Sequence, residues 1–181
     1  MMTEPHKLHE VANVSTVDAA RDMVRGLMYT DAGVVCPVCD RLAKVYRRKI
    51  NAGMLKPLLR LYALCPLARD TDGYVKIGVG GAFRTAGGDY AKLTLWGMIE
   101  PLPNAERADG STRVGFWRIT EWGRRFVEGK AAAPKYMYEY HGKPVTVDAG
   151  RPEKMVTVYD LDPTFDFGEM MATSRAVTAA P

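Results

Sequence analysis

The stretch GGDYAKLTLWGMIEPLPNAERADGSTRVGFWRITEWGRRFVEG, residues 87–129, constrains this chain more than any other. Tyr90, Leu93 and Gly97 follow one another at spacings of three and four, which predicts one face of a helix over 87–97. Gly97 is suited to stop that helix in a left-handed conformation. Met98 and Ile99 then open a strand, 98–102. The polar run 103–113 contains Asp109-Gly110, a pair that favours a turn. Residues 114–119, with Phe116 and Trp117, read as a returning strand, and Thr120 is placed to cap a closing helix.

The flanks carry weaker signals. Residues 15–33 read as a helix capped by Ser15 or Thr16 and followed by Gly33. Asp40 is read as the cap of a second helix through about Ile50, interrupted by Asn51 and Gly53. Residues 54–65 give a third helix, with Pro57 expected in its first turn and Pro66 ending it. Residues 73–81 alternate like a strand, 135–147 read as a hairpin about His141-Gly142, and 155–162 as one more strand.

From residue 54 to 129 the order is helix, short strand, turn-helix, helix, strand, loop, strand, helix. This order resembles the winged helix-turn-helix. YAKLTLWGMIEP followed by GFWRITEWGRRFV is similar to the pattern of bacterial regulators of the MarR and PadR kind. Tyr90, Leu93, Gly97, Met98 and Ile99 fill its first half. Phe116 or Trp117, Ile119, Thr120 and Gly123 fill its second. The segments CPVCDRLAKVYRRKINAGM and PKYMYEYHGKP also resemble a group of small bacteriophage and prophage proteins, a likeness that implies a source and no mechanism. The expected fold is therefore α+β, a winged helix-turn-helix core with an N-terminal helical extension and a C-terminal β-hairpin. The expected division is 1–50 for the extension, 51–130 for the winged helix, 131–168 for the hairpin and an acidic segment, and 169–181 for a tail without order.

The resemblance implies a DNA reader whose second helix enters the major groove while the wing touches the backbone. Lys92 and Thr94 are the polar groups expected to face outward on 87–97. Arg84 and Thr85 precede that helix, and Arg107 and Arg113 flank the wing. The net charge of +4 and a pI near 9.0 permit a polyanionic partner without requiring one. Leu95 and Trp96 are apolar where such regulators carry charge. They read either as a protein interface, together with Tyr136 and Tyr138 of the hairpin, or as core. The tyrosine stripe can stack unpaired bases, though such stripes more often pack on a core or a dimer partner.

Residues 41–60 hold seven Lys or Arg and no acid. Read as a helix, they place Arg41, Lys44 and Arg48 on one face with Arg47 close by, either to lie along phosphates or as a solvated face. The acidic run 160–169 is a candidate to dock on it. Cys36 and Cys39 have the spacing by which two thiolates meet one zinc, and Cys65, His141, His6 and His9 are candidates to complete a four-ligand structural site, Cys65 with His141 giving a Cys₃His set. The alternatives are two small buried apolar side chains, or a thioredoxin-like redox pair, which needs a βαβ frame the pattern lacks. No Ser, His and Asp arrangement and no phosphate-loop spacing is present, so no catalytic residue is expected.

Three cysteines, no apolar leader in MMTEPHKLHE and no membrane-length apolar run give the expectation of a cytoplasmic protein in a host cell, with no membrane contact. The leading expectation is a non-enzymatic, phage-encoded regulator or replication accessory that binds double-stranded DNA, as a homodimer in the manner of its fold. The alternative is an interaction module that binds and modulates a host protein. Structural zinc is the one cofactor considered.

Overall fold

The computed structural model describes residues 14–78, 89–103, 115–147 and 153–178. In chain order the elements are α1 (Val17–Leu27), β1 (Val34–Val35), β2 (Leu42–Ala43), β3 (Tyr46–Lys49), α2 (Ala52–Leu64) and β4 (Val75–Lys76). A 3₁₀ helix over Asp89–Trp96 follows, then β5 (Ile99–Pro101), β6 (Phe116–Ile119) and α3 (Glu121–Val127). The chain continues through β7 (Ala133–Pro134), β8 (Tyr136–Tyr140), β9 (Lys143–Val145), β10 (Met155–Val156), α4 (Val158–Leu161) and α5 (Phe167–Thr178). The fold is mixed α+β with small antiparallel sheets. Among the described residues no helix is long and apolar enough to cross a membrane.

The chain divides into two compact units. The first contains residues 14–48 and 137–147. Its helix α1 is capped by Thr16, whose side chain accepts from the Ala19 N–H, and buries only Ala20 fully. The predicted helix over 40–50 does not form. Asp40 takes a left-handed conformation (φ 54°) and turns the chain from β1 back into β2, pairing Val34 with Ala43 and Val35 with Leu42. Ala43 and Val45 are buried while Leu42 and Tyr46 are exposed, a period of two that the dense basic residues masked. The Val45 N–H donates to the Met28 carbonyl (2.7 Å), holding this strand segment at the end of α1.

The second unit contains residues 49–78, 89–103, 115–136 and 153–178. Its centre is α2. Asn51 caps it by accepting from the Met54 N–H (3.2 Å), and Met54, Leu55, Leu58 and Leu61 are buried. Complete burial of a leucine side chain contributes about 1.5–3 kcal/mol. Pro57 lies inside the helix and not in its first turn, because the cap falls at Asn51. The helix packs on the 3₁₀ helix, β6, α3 and α4.

The three-stranded sheet has the order β4-β6-β5, so the first strand in the chain pairs with the last. Val75 faces Trp117, while Ile99 faces Ile119 and Glu100 faces Arg118. Pro101 lies on the edge strand β5, where a missing N–H is tolerated.

One junction ties these elements together. Gly97 (φ 66°) ends the 3₁₀ helix, its N–H donating to the Thr94 carbonyl and the Met98 N–H to the Leu93 carbonyl. These two bonds close a glycine C-cap of the kind expected at this position. Thr120 Oγ1 donates to the Gly97 carbonyl (2.6 Å) and accepts from the Gly123 N–H (3.0 Å), so one hydroxyl caps α3 and pins the preceding turn. The Thr120 N–H donates to the Met98 carbonyl (3.0 Å). A Cβ on Gly123 would stand 2.2 Å from that same carbonyl oxygen.

The C-terminal elements differ from expectation. Only Met155–Val156 is strand. Thr157 and Asp160 then form a reciprocal capping box that starts α4. Residues 169–178 of the tail expected to lack order lie in α5 (Phe167–Thr178). Asp166 Oδ1 accepts the Glu169 N–H (2.8 Å), and the Phe167 ring meets Tyr62 edge-on at 5.6 Å. The carboxylates of Asp160, Asp162 and Asp166 thus all make local hydrogen bonds.

Two glycine-to-alanine changes should move stability in opposite directions. Gly26→Ala, with nothing within 4 Å of the new methyl, should leave the urea midpoint unchanged or raise it by up to the equivalent of about 1 kcal/mol. Gly123→Ala should lower it by about 1–3 kcal/mol or more, through collision with Met98. Equal effects would show that the Gly123 contact is not constraining.

Candidate nucleic-acid interface

The residues expected to meet DNA fall into three groups. Lys92 and Thr94 lie on the 3₁₀ helix. Lys92 Nζ is 2.6 Å from Asp89 Oδ1, and Thr94 Oγ1 donates to the Ala91 carbonyl (2.8 Å). Both polar groups are therefore already engaged locally. Arg84, Thr85, Arg107 and Arg113 lie outside the described residues.

Lys44, Arg47 and Arg48 belong to the first unit and not to a helix. Alternation along β3 sets Tyr46 and Arg48 on one face and Arg47 and Lys49 on the other. Arg48 pairs with Glu139 of β8 (3.0 Å) and lies over the Tyr46 ring (4.8 Å). The Lys44 ammonium donates to the Asp31 carbonyl. The single-signed helical face built from Arg41, Lys44 and Arg48 is thus replaced by a strand, one of whose cations is paired with a carboxylate. Tyr136 and Tyr138 are half-buried on β8.

Leu95 and Trp96, read as a possible exposed interface, are each only 5% exposed. A 3₁₀ helix has three residues per turn, so Tyr90, Leu93 and Trp96 align on one side. Phasing the segment as an α-helix turns Trp96 outward and misses this. The indole Nε1 donates to the Pro134 carbonyl of β7 (2.6 Å), which satisfies the polar end of the ring inside the core.

Arg118 was not singled out from sequence. Its guanidinium donates to Glu100 Oε1 (2.6 and 2.8 Å) and to the carbonyl and carboxylate of Asp72 (3.1 Å each), and lies 4.6 Å over the Tyr74 ring. The hydrogen bonds it donates to Glu100 lead the causes that raise its pKa further above its ordinary value. Pairing 99–101 against 117–119 in sequence would have set Arg118 opposite Glu100.

Two cysteines form a distinct feature in the first unit. The Cys36 N–H donates to the Arg41 carbonyl (2.9 Å) and the Asp40 N–H to the Cys36 carbonyl (2.9 Å), closing a knuckle between β1 and β2. The Cys36 sulfur accepts from the backbone N–H groups of Val38 and Cys39 and from the Cys39 thiol. These bonds, Val38 first, lower the Cys36 pKa below the ordinary thiol range. Cys65 is 3% exposed in the core of the second unit, and burial raises its pKa. His141 sits at the β8–β9 turn (φ 50°) with its ring against Tyr140 at 4.3 Å. Among the described residues no group of three or more His, Cys, Asp or Glu side chains that could hold a metal ion is found.

The burial of Trp96 predicts that Trp96→Ala destabilises the fold by about 3–5 kcal/mol in chemical denaturation. Trp96→Phe, which removes the donor to Pro134 and part of the ring volume but keeps an aromatic side chain in the core, should cost less, about 1–3 kcal/mol. An alanine variant with an unchanged midpoint would return Trp96 to the surface. Comparison with models of protein families, with curated proteins and with solved structures finds no match to this chain, so any functional reading rests on the residues described above.

Proposed function

We propose that the segment 51–130 is a winged helix-turn-helix and that the chain is a non-enzymatic protein that binds double-stranded DNA, a phage-encoded regulator or replication accessory. The observation that carries this reading is the sheet order β4-β6-β5, entered from a short helix through the Gly97 turn and followed by α3. That is the connectivity in which a helix is presented beside a two-stranded wing. Arg84 and Thr85 precede the helix in sequence, and Arg107 and Arg113 belong to the segment between β5 and β6.

The chemistry of the helix favours contacts to phosphate over base reading. Base discrimination needs donors and acceptors directed at groove edges. Lys92 is bound to Asp89 and Thr94 to its own backbone, and Leu95 and Trp96 are core. The affinity is therefore assigned chiefly to arginines and lysines on phosphates. The alternative, a module that grips a host protein, loses Leu95 and Trp96 as contact residues and retains Tyr136 and Tyr138 alone.

Fluorescence anisotropy with a random-sequence duplex tests the proposal. Binding should be measurable at about 50 mM salt and fall with a log–log slope of roughly −3 to −4, as for about four neutralised phosphates. The double variant Arg107→Ala, Arg113→Ala should reduce that slope by about 2 and weaken binding to all sequences alike. Absence of binding at low salt, or binding with no salt dependence, would rule the reading out.

A further inference from the structure

We infer that the sheet β3-β8-β9 carries a docking face for single-stranded DNA, on which unpaired bases stack against Tyr138 and Tyr140 while Arg47 and Lys143 meet the phosphates. Side chains alternate between the two faces of a strand, so Tyr138 and Tyr140 project to one side of β8 and Met137 and Glu139 to the other. Strand β9 pairs Val145 with Tyr138 and Lys143 with Tyr140, which sets both partners on the tyrosine side. Strand β3 flanks β8 on its other edge. There the ion pair from Arg48 to Glu139 (3.0 Å) fixes Arg48 on the opposite face, and its neighbour Arg47 therefore shares the side of the tyrosines.

The two faces differ in charge. Glu139 is the one acid in the sequences of these three strands, and it lies with Arg48, whose guanidinium stands 4.8 Å over the Tyr46 ring. The tyrosine face takes Arg47 on one flank and Lys143 on the other, both exposed, and no carboxylate of these strands. Tyr138 and Tyr140 are half-buried, so each ring is anchored and still partly open. The exposed His141 ring stands edge-on to Tyr140 at 4.3 Å and carries the aromatic surface on to the tip of the hairpin. Cations that follow a backbone, set around rings that accept any base, suit a single strand. A duplex closes its base faces by stacking and would leave the rings unused. Deoxyribose is favoured over ribose because Glu139, the strands' carboxylate acceptor for a 2′-hydroxyl, is held by Arg48 on the far face.

The face belongs to the first unit and does not rest on duplex binding by residues 51–130. Fluorescence anisotropy of the full chain with a labelled mixed-sequence DNA strand of about 15 nucleotides, at about 50 mM salt, should report binding. A strand of the same length built from abasic sites should bind about tenfold more weakly or worse, and RNA of the same sequence no more tightly than the DNA. This comparison uses the unaltered chain, so it reads stacking whether or not a variant folds. Tyr138→Ala with Tyr140→Ala should weaken the single strand about tenfold or more and leave any affinity for duplex within about twofold, while Tyr138→Phe with Tyr140→Phe, which keeps the rings, should retain the single strand. Absence of duplex binding would strike the reading of 51–130 alone. No binding of the intact strand, equal binding of the abasic strand, tighter binding of RNA, or a loss shared equally by strand and duplex would each overturn the inference.

Discussion

The carbonyl of Met98 is the point on which the second unit depends. It accepts the Thr120 N–H, and it occupies the space a side chain on residue 123 would need. Helix α3 can approach β5 this closely only because Gly123 presents bare backbone there. The Thr120 hydroxyl completes the junction by joining the Gly97 carbonyl to the first turn of α3. The end of one helix, the start of a strand and the start of the next helix are thus fixed within a few ångströms of each other. The apolar groups this brings together, among them Leu93, Met98, Ile99, Ile119 and Phe126, are buried with the inner face of α2.

This junction was legible in the sequence because each of its residues has a local reason to be where it is. Gly97 can adopt a left-handed conformation, and Thr120 is a good helix cap. The basic segment was not legible. Seven cations without an acid fit a helical face as well as a strand, and only the left-handed turn at Asp40 and the alternating burial of Ala43 and Val45 decide for strand. Trp96 was misjudged for a narrower reason. The spacings Tyr90, Leu93 and Gly97 suit an α-helix, yet the segment winds with three residues per turn, which brings Trp96 under the same face as Leu93. The helical C-terminal segment escaped notice because its packing contact, Phe167 on Tyr62, is distant in sequence.

The electrostatics bear on function in a consistent direction. Several cations of the described residues are held by partners within the chain: Arg48 by Glu139, Arg118 by Glu100 and Asp72, and Lys92 by Asp89. The more exposed of these pairs, Lys92–Asp89 and Arg118–Asp72, position side chains more than they stabilise, since exposed ion pairs contribute about 0–1 kcal/mol. Under the proposed DNA-binding reading, contacts would be distributed over phosphates rather than concentrated on a dense basic helix, in keeping with the modest net charge of +4.

Amide hydrogen exchange followed by NMR addresses the junction most directly. If the Met98 carbonyl organises the second unit, the N–H groups of Thr120 and Met98 should be among the slowest to exchange, opening only with global unfolding. Rapid exchange at either amide while Leu58 and Leu61 of α2 remain protected would contradict that account.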